Sequence, residues 1–153
     1  MTTRWVPTLR AVATVCAGLV AGLTLAHVLE RPGASALDGA TWLAVQHTFY
    51  GGFGIAGGVA EVVGLLAAGT GGVLARTRWP FVLGTVGFAG TLVAYAVGNA
   101  PVNAQVALWT LATLPPEWSV LRDRWETAHA VSAGLALVAL VALSWPPPRR
   151  EQP

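Results

Sequence analysis

The charges of this chain are spaced too widely for an ordinary water-soluble fold. Residues 11–29, 39–60, 79–116 and 127–148 contain no Asp, Glu, Lys or Arg. A bilayer core of roughly 30 Å needs about 20 apolar helical residues, and each interval is near that length or longer. The spacing predicts four transmembrane helices, at about 8–30, 41–69, 79–113 and 117–145. Short connections at 31–40 and 70–78 favour antiparallel neighbours. The expected fold class is therefore all-α, an integral membrane four-helix bundle of up-down topology filling one domain. The tail "PPPRREQP", 146–153, cannot continue a helix and reads as disordered.

Only 10% of residues are charged, against roughly 25% in soluble domains. All nine basic residues are Arg and the net charge is +2, too small and too scattered for nucleic acid. The single cysteine, Cys16, lies in an apolar run. It can form no intrachain disulfide and reads as a small packing residue. Arg4, Arg10, the first apolar run and "ASA" at 34–36 compete as a secretory signal. The run is long for that, so a retained helix is the expectation.

With the N-terminus inside, cytoplasmic segments hold Arg4, Arg10, Arg76, Arg78, Arg149 and Arg150, and outside segments hold Arg31, Arg122 and Arg124. The excess inside places both termini in the cytoplasm, in what is expected to be a bacterial cytoplasmic membrane. Gly18 with Gly22 and Gly54 with Gly58 form GxxxG pairs, and Gly84, Gly87 and Gly90 recur at every third position. Small residues of this kind mark close helix contacts in lipid. No internal repeat stands out, nor any inverted repeat or paired broken helices of a transporter.

Ordered by depth, the polar residues gather at the outer end. The first helix finishes in "HVLE", with His27 and Glu30, and the last begins with "ETAH", with Glu126 and His129. Residues three apart share a helix face. Each motif thus presents one nitrogen and one oxygen ligand, the spacing used by carboxylate-bridged metal bundles. His47 adds a third imidazole. Iron, copper, manganese and zinc all suit such mixed donors, and a site without metal is equally compatible with the residues. Haem held by two histidines is a further option. For each residue a plain reading competes. His27 and Glu30 suit the membrane interface. Glu126 suits a helix start beside Arg122. His47 suits a hydrogen bond to another helix.

Glu61 is the one carboxylate deep within a span, and such groups are functional candidates by default. It follows His47 by 14 residues, about 21 Å along a helix, too far to share a metal with it. Tyr95, Asn99 and Asn103 recur every fourth residue. Pro101 frees the carbonyl near residue 97, which the asparagines could satisfy; alternatively they hold a ligand. Tyr95, Trp109, Trp118, Trp125 and Gln46 are candidate substrate contacts, although tryptophans near a membrane surface also form interfacial belts.

The segments "HVLERP", "WLAVQHTFYGGFG", "NAPVNAQVALW" and "PPEWSVLRDRWETAHAV" together resemble the anthrone oxygenase-like family of small four-helix integral membrane proteins. The resemblance runs from about 17 to 143. Its most specific part is N-x-P-x-N followed by W-x-x-x-H, which points to Asn99, Asn103, Trp125 and His129. A basic residue often follows the last-helix histidine in that family, and Ser132 stands here instead. The resemblance implies oxidation of an activated aromatic carbon by O₂.

Two functions follow. One is a membrane oxidoreductase for a hydrophobic phenolic or quinone-like molecule. In a metal version, His27, Glu30, His47, Glu126 and His129 supply the ligands. In a metal-free version, His129 is the base and Asn99 and Asn103 hold the oxyanion, with Glu61 as a further proton carrier. The other is a non-enzymatic subunit of a larger membrane complex or homo-oligomer.

Overall fold

The computed structural model describes residues 2–146, and the segment from 147 onward, with Arg149 and Arg150, lies outside the described residues. A short 3₁₀ turn, Thr2–Trp5, leads into α1, Val6–Ala34. Then come α2, Gly39–Phe49, and α3, Gly51–Leu74. Helix α4, Trp79–Ala94, continues through a wide π-turn, Tyr95–Asn99, into α5, Ala100–Val106. Helix α6, Trp118–Ser144, ends the described chain. The described residues contain no strand.

Four helical rods are long and apolar enough to cross a membrane: Val6–Ala34, Gly51–Leu74, Trp79–Val106 and Trp118–Ser144. The shortest has 24 residues, about 36 Å of helix. The molecule is an all-α membrane helical bundle. Helix α1 packs on α3 and α6, and α4 packs on the same two, so the four close into a ring. Large apolar side chains such as Leu19, Ile55, Leu66, Val86 and Val138 face outward. On a soluble protein such a surface would drive association; here hydrocarbon covers it.

The expected second span, 41–69, is broken. Tyr50 ends α2 and begins α3 at φ −92°, ψ −3°, immediately before two glycines, which weaken helix continuation. Asp38 caps α2, accepting a hydrogen bond from the Thr41 backbone N–H at 2.8 Å. That bond holds the Asp38 carboxyl below the usual carboxylate range. The third rod stops at Val106 rather than near 113, and residues 107–117 run irregularly to α6.

Two cores result. Small residues fill the first: Ala13, Ala17 and Val20 of α1, Ala60, Ala67 and Ala68 of α3, and Ala136 and Ala139 of α6, closed by Phe81 and Phe88. Cys16 is buried among them. The second caps the other end with Trp42, Leu43, Val102, Val106 and Trp125, flanked by Trp109 and Trp118. Arg10 finishes the first end by donating to the Leu143 and Trp145 carbonyls at 2.8 and 2.5 Å, satisfying carbonyls that the end of α6 leaves free.

The glycines divide differently from the sequence expectation. A Cβ on Gly22, Gly54 or Gly58 would meet nothing, whereas one on Gly87 would press on Ala139 and on the Leu135 carbonyl. The GxxxG pairs therefore are not the close contacts. The run Gly84, Gly87, Gly90 is, where α4 meets α6. We predict that Gly87→Ala costs about 1–3 kcal/mol through overpacking. Gly54→Ala should be neutral or stabilising by up to about 1 kcal/mol through helix propensity. Thermal unfolding in detergent, followed by circular dichroism, checks both.

Candidate functional site

Pro101 organises the site. It lacks an N–H, so the carbonyl four residues back, that of Val97, loses its helical partner. The Arg124 guanidinium of α6 donates to that carbonyl at 2.6 Å. The neighbouring turn widens, with the Ala100 N–H reaching the Tyr95 carbonyl. Gly98 lets α6 approach, since a Cβ there would collide with Ala128. Asn99 is thereby buried against α6. It does not mend the break, as the sequence allowed. Its Nδ2 donates to the Trp125 carbonyl at 2.9 Å and lies 2.7 Å from His129 Nδ1. Asn103 accepts at Oδ1 from Trp125 Nε1 at 2.8 Å.

These contacts converge on His129 Nδ1. An amide NH₂ offers two hydrogens, and beside it stand the Trp125 carbonyl and His129 Nδ1. The Trp125 carbonyl, which can only accept, also lies 2.9 Å from Nδ1. The carbonyl calls for a proton on Nδ1 and the amide N–H for a lone pair, so the two contacts compete to set the tautomer of His129.

His27 faces it, with ring centroids 4.2 Å apart. Tyr50 and Trp125 contact His27 edge-on, each at 4.8 Å. His27 Nδ1 is buried without a hydrogen bond, and the nearby charge is Glu30 Oε2 at 3.7 Å. A proton on Nδ1 suits that carboxylate and a lone pair would oppose it, which leaves the Nε2 lone pair free. Tyr50 donates to the same Glu30 oxygen at 2.8 Å. Burial, then Glu30, push the Tyr50 phenol well above its ordinary range, so it remains a donor wherever the protein is handled.

Helix α1, the start of α3, the 92–107 segment and α6 enclose a cavity of about 470 Å³. His27, His129, Asn99, Asn103, Tyr95, Trp125, Gln46, His47 and Glu61 all line it. The break at Tyr50 brings α2 and α3 to one cavity, which an unbroken helix would not. Its α3 wall is low, made of Gly51, Gly54, Gly57 and Gly58. Tyr50, Phe53 and Ser132 also line it, with apolar side chains such as Val20, Leu23 and Leu92; the sequence signal for Tyr50 was the "YGG" that follows the apolar run. A more open apolar groove between α2 and residues 109–111 holds only His47 among titratable groups.

The five expected metal ligands do not converge. Among the described residues, no group of three or more His, Cys, Asp or Glu could hold one ion. His47 Nε2 lies 2.9 Å from the Val106 carbonyl, which can only accept, so that nitrogen is a donor and no ligand. Glu126 turns away to Arg31, 3.1 Å from its Nε, without the alignment of a hydrogen bond. Glu30 is shared by Tyr50 and His27. The rings of His27 and His129 touch and leave no space for a haem macrocycle between them. Arg122 joins Asp123 at 3.1 Å rather than Glu126, and reaches the Ala34 and Ser35 carbonyls. Trp109 and Trp118 pack with Trp42 in the apolar cap.

Set against protein-family models, curated proteins and solved structures, the chain matches none of them.

Arg124→Ala should orphan the Val97 carbonyl and cost about 1–3 kcal/mol. In a Pro101→Ala background the new N–H can serve that carbonyl, so the cost of Arg124→Ala should fall. Equilibrium unfolding of the four proteins measures this coupling.

Proposed function

We propose that this chain is an integral membrane oxidoreductase acting on a hydrophobic phenolic or quinone-like molecule in the 470 Å³ cavity. The observation that carries the reading is the pair of facing imidazoles, His27 with Nδ1 beside Glu30 and His129 with Nδ1 beside Asn99. His27 Nε2 removes a proton from a phenol or an acidic C–H. His129, its Nδ1 accepting from Asn99, donates from Nε2–H to the oxygen where negative charge gathers. The Asn103 amide, whose oxygen is held by Trp125, offers a second donor. Two such groups of opposite polarity are the minimum for acid–base chemistry on one substrate. Aromatic side chains and a low glycine wall suit a flat apolar body. Deprotonation yields the electron-rich anion that an oxidant accepts electrons from, and the resemblance to anthrone oxygenases supports O₂ in that role.

The arginine bias supports both termini in the cytoplasm, with the cavity towards the outer face. The up-down threading is the topology that the short connections favour.

Oxygen uptake by the detergent-purified protein with anthrone as substrate tests the reading. His27→Ala and His129→Ala should each lower kcat about 10²-fold or more, with secondary structure unchanged. Uptake equal to the detergent blank, or unaffected by His27→Ala, would contradict it.

A further inference from the structure

Glu61 has no task in that chemistry, yet it is built into the same cavity. It lies in mid-α3, 8% exposed, and lines the cavity wall. No ion pair reaches it among the described residues. Its hydrogen-bond partner is the Thr91 hydroxyl, which gives its own hydrogen to the Phe88 carbonyl at 2.9 Å and so can accept from Glu61 only when the carboxyl is protonated. The lining also holds the hydroxyls of Thr24, Tyr50, Tyr95 and Ser132, of which Thr24 gives its hydrogen to the Val20 carbonyl and Tyr50 to Glu30. Phe53 of α3 sits at the level of His27, with ring centroids 5.4 Å apart. Glu61 follows Phe53 by eight residues, about 12 Å along the helix axis. The cavity therefore has two poles: an imidazole pair at one end and a carboxyl without an ion pair at the other. No arginine lines it.

A carboxyl at this depth keeps its proton unless a positive charge stands beside it. A ligand hydroxyl would hydrogen-bond the neutral carboxyl and bring no charge. An ammonium brings both the donors and the charge that lets Glu61 ionise. We propose that the ligand of this cavity is an elongated aromatic amine, its ring against His27 and His129 and its ammonium on Glu61. This rests on the reading of the cavity as a ligand site and specifies the far end of the molecule.

The probe is dansylcadaverine, an environment-sensitive aromatic ring with a primary ammonium on a five-carbon arm. Its N-acetyl derivative is the neutral control. Fluorescence titration of the full chain in detergent should give at least tenfold tighter binding of the amine. Glu61→Gln should abolish that preference and bind both compounds as the wild type binds the acetylated one. Glu61→Asp, which keeps the charge and withdraws it by one methylene, should retain part of the preference. Glu117→Gln, in the exposed segment before α6, should retain all of it. Equal affinities in the wild type, or a preference surviving in Glu61→Gln, overturn the amine assignment and leave the oxidoreductase reading standing. Failure of both compounds to bind overturns the ligand-site reading with it.

Discussion

A backbone group within a bilayer has no water to turn to, so each must find its partner inside the protein. Pro101 breaks that rule for the third rod by withholding an N–H. Three features follow from the repair. Arg124 crosses from α6 to the Val97 carbonyl. The turn before the proline widens. Asn99, carried round with it, meets the Trp125 carbonyl and His129. Thus a helix defect becomes a device that orients an imidazole. Wide turns of this kind are found at functional sites often enough to make the coincidence meaningful.

The two ends of the bundle are built for different purposes. At the Arg10 end, alanines and glycines bring helices together and phenylalanine rings seal the space. Towards the other end the glycines of α3 face open space. Contacts between α3 and the 95–106 segment are sparse there, and the cavity fills the gap. Tryptophans of α2, the 107–117 segment and α6 roof it. Arg122 and Arg31 tie the connection between α1 and α2 down onto α6. A rigid half supports a half that has room for a molecule.

The spans were legible because a long interval free of charge underlies each, with Glu61 in α3 the one carboxyl deep inside, and that pattern depends on the bilayer alone. The gathering of His27, Asn99, Trp125 and His129 was legible because depth along each helix follows from counting residues. The break at Tyr50 was not read, since the charge-free run passes through it without a proline and the two glycines after it were the lone local sign. Nor was the loss of Glu126 to Arg31, a partner 95 positions away in the chain. The GxxxG pairs misled because a glycine spacing does not say whether a neighbour stands opposite. Asn99 was expected at the same end of the bundle as His129, but its hydrogen bonds depend on the wide turn, which no local pattern announces.

The opposed polarity of the two imidazoles is the claim on which the chemistry turns. Nitrogen-15 NMR of the histidine-labelled protein in bilayers, at a pH where both rings are uncharged, reads it directly. The proposed chemistry requires His129 protonated on Nε2 and His27 protonated on Nδ1, with Asn99→Ala moving the His129 proton to Nδ1, towards the Trp125 carbonyl, and leaving His27 unchanged. Both rings in the same tautomer, or a His129 proton resting on Nδ1, would contradict the account.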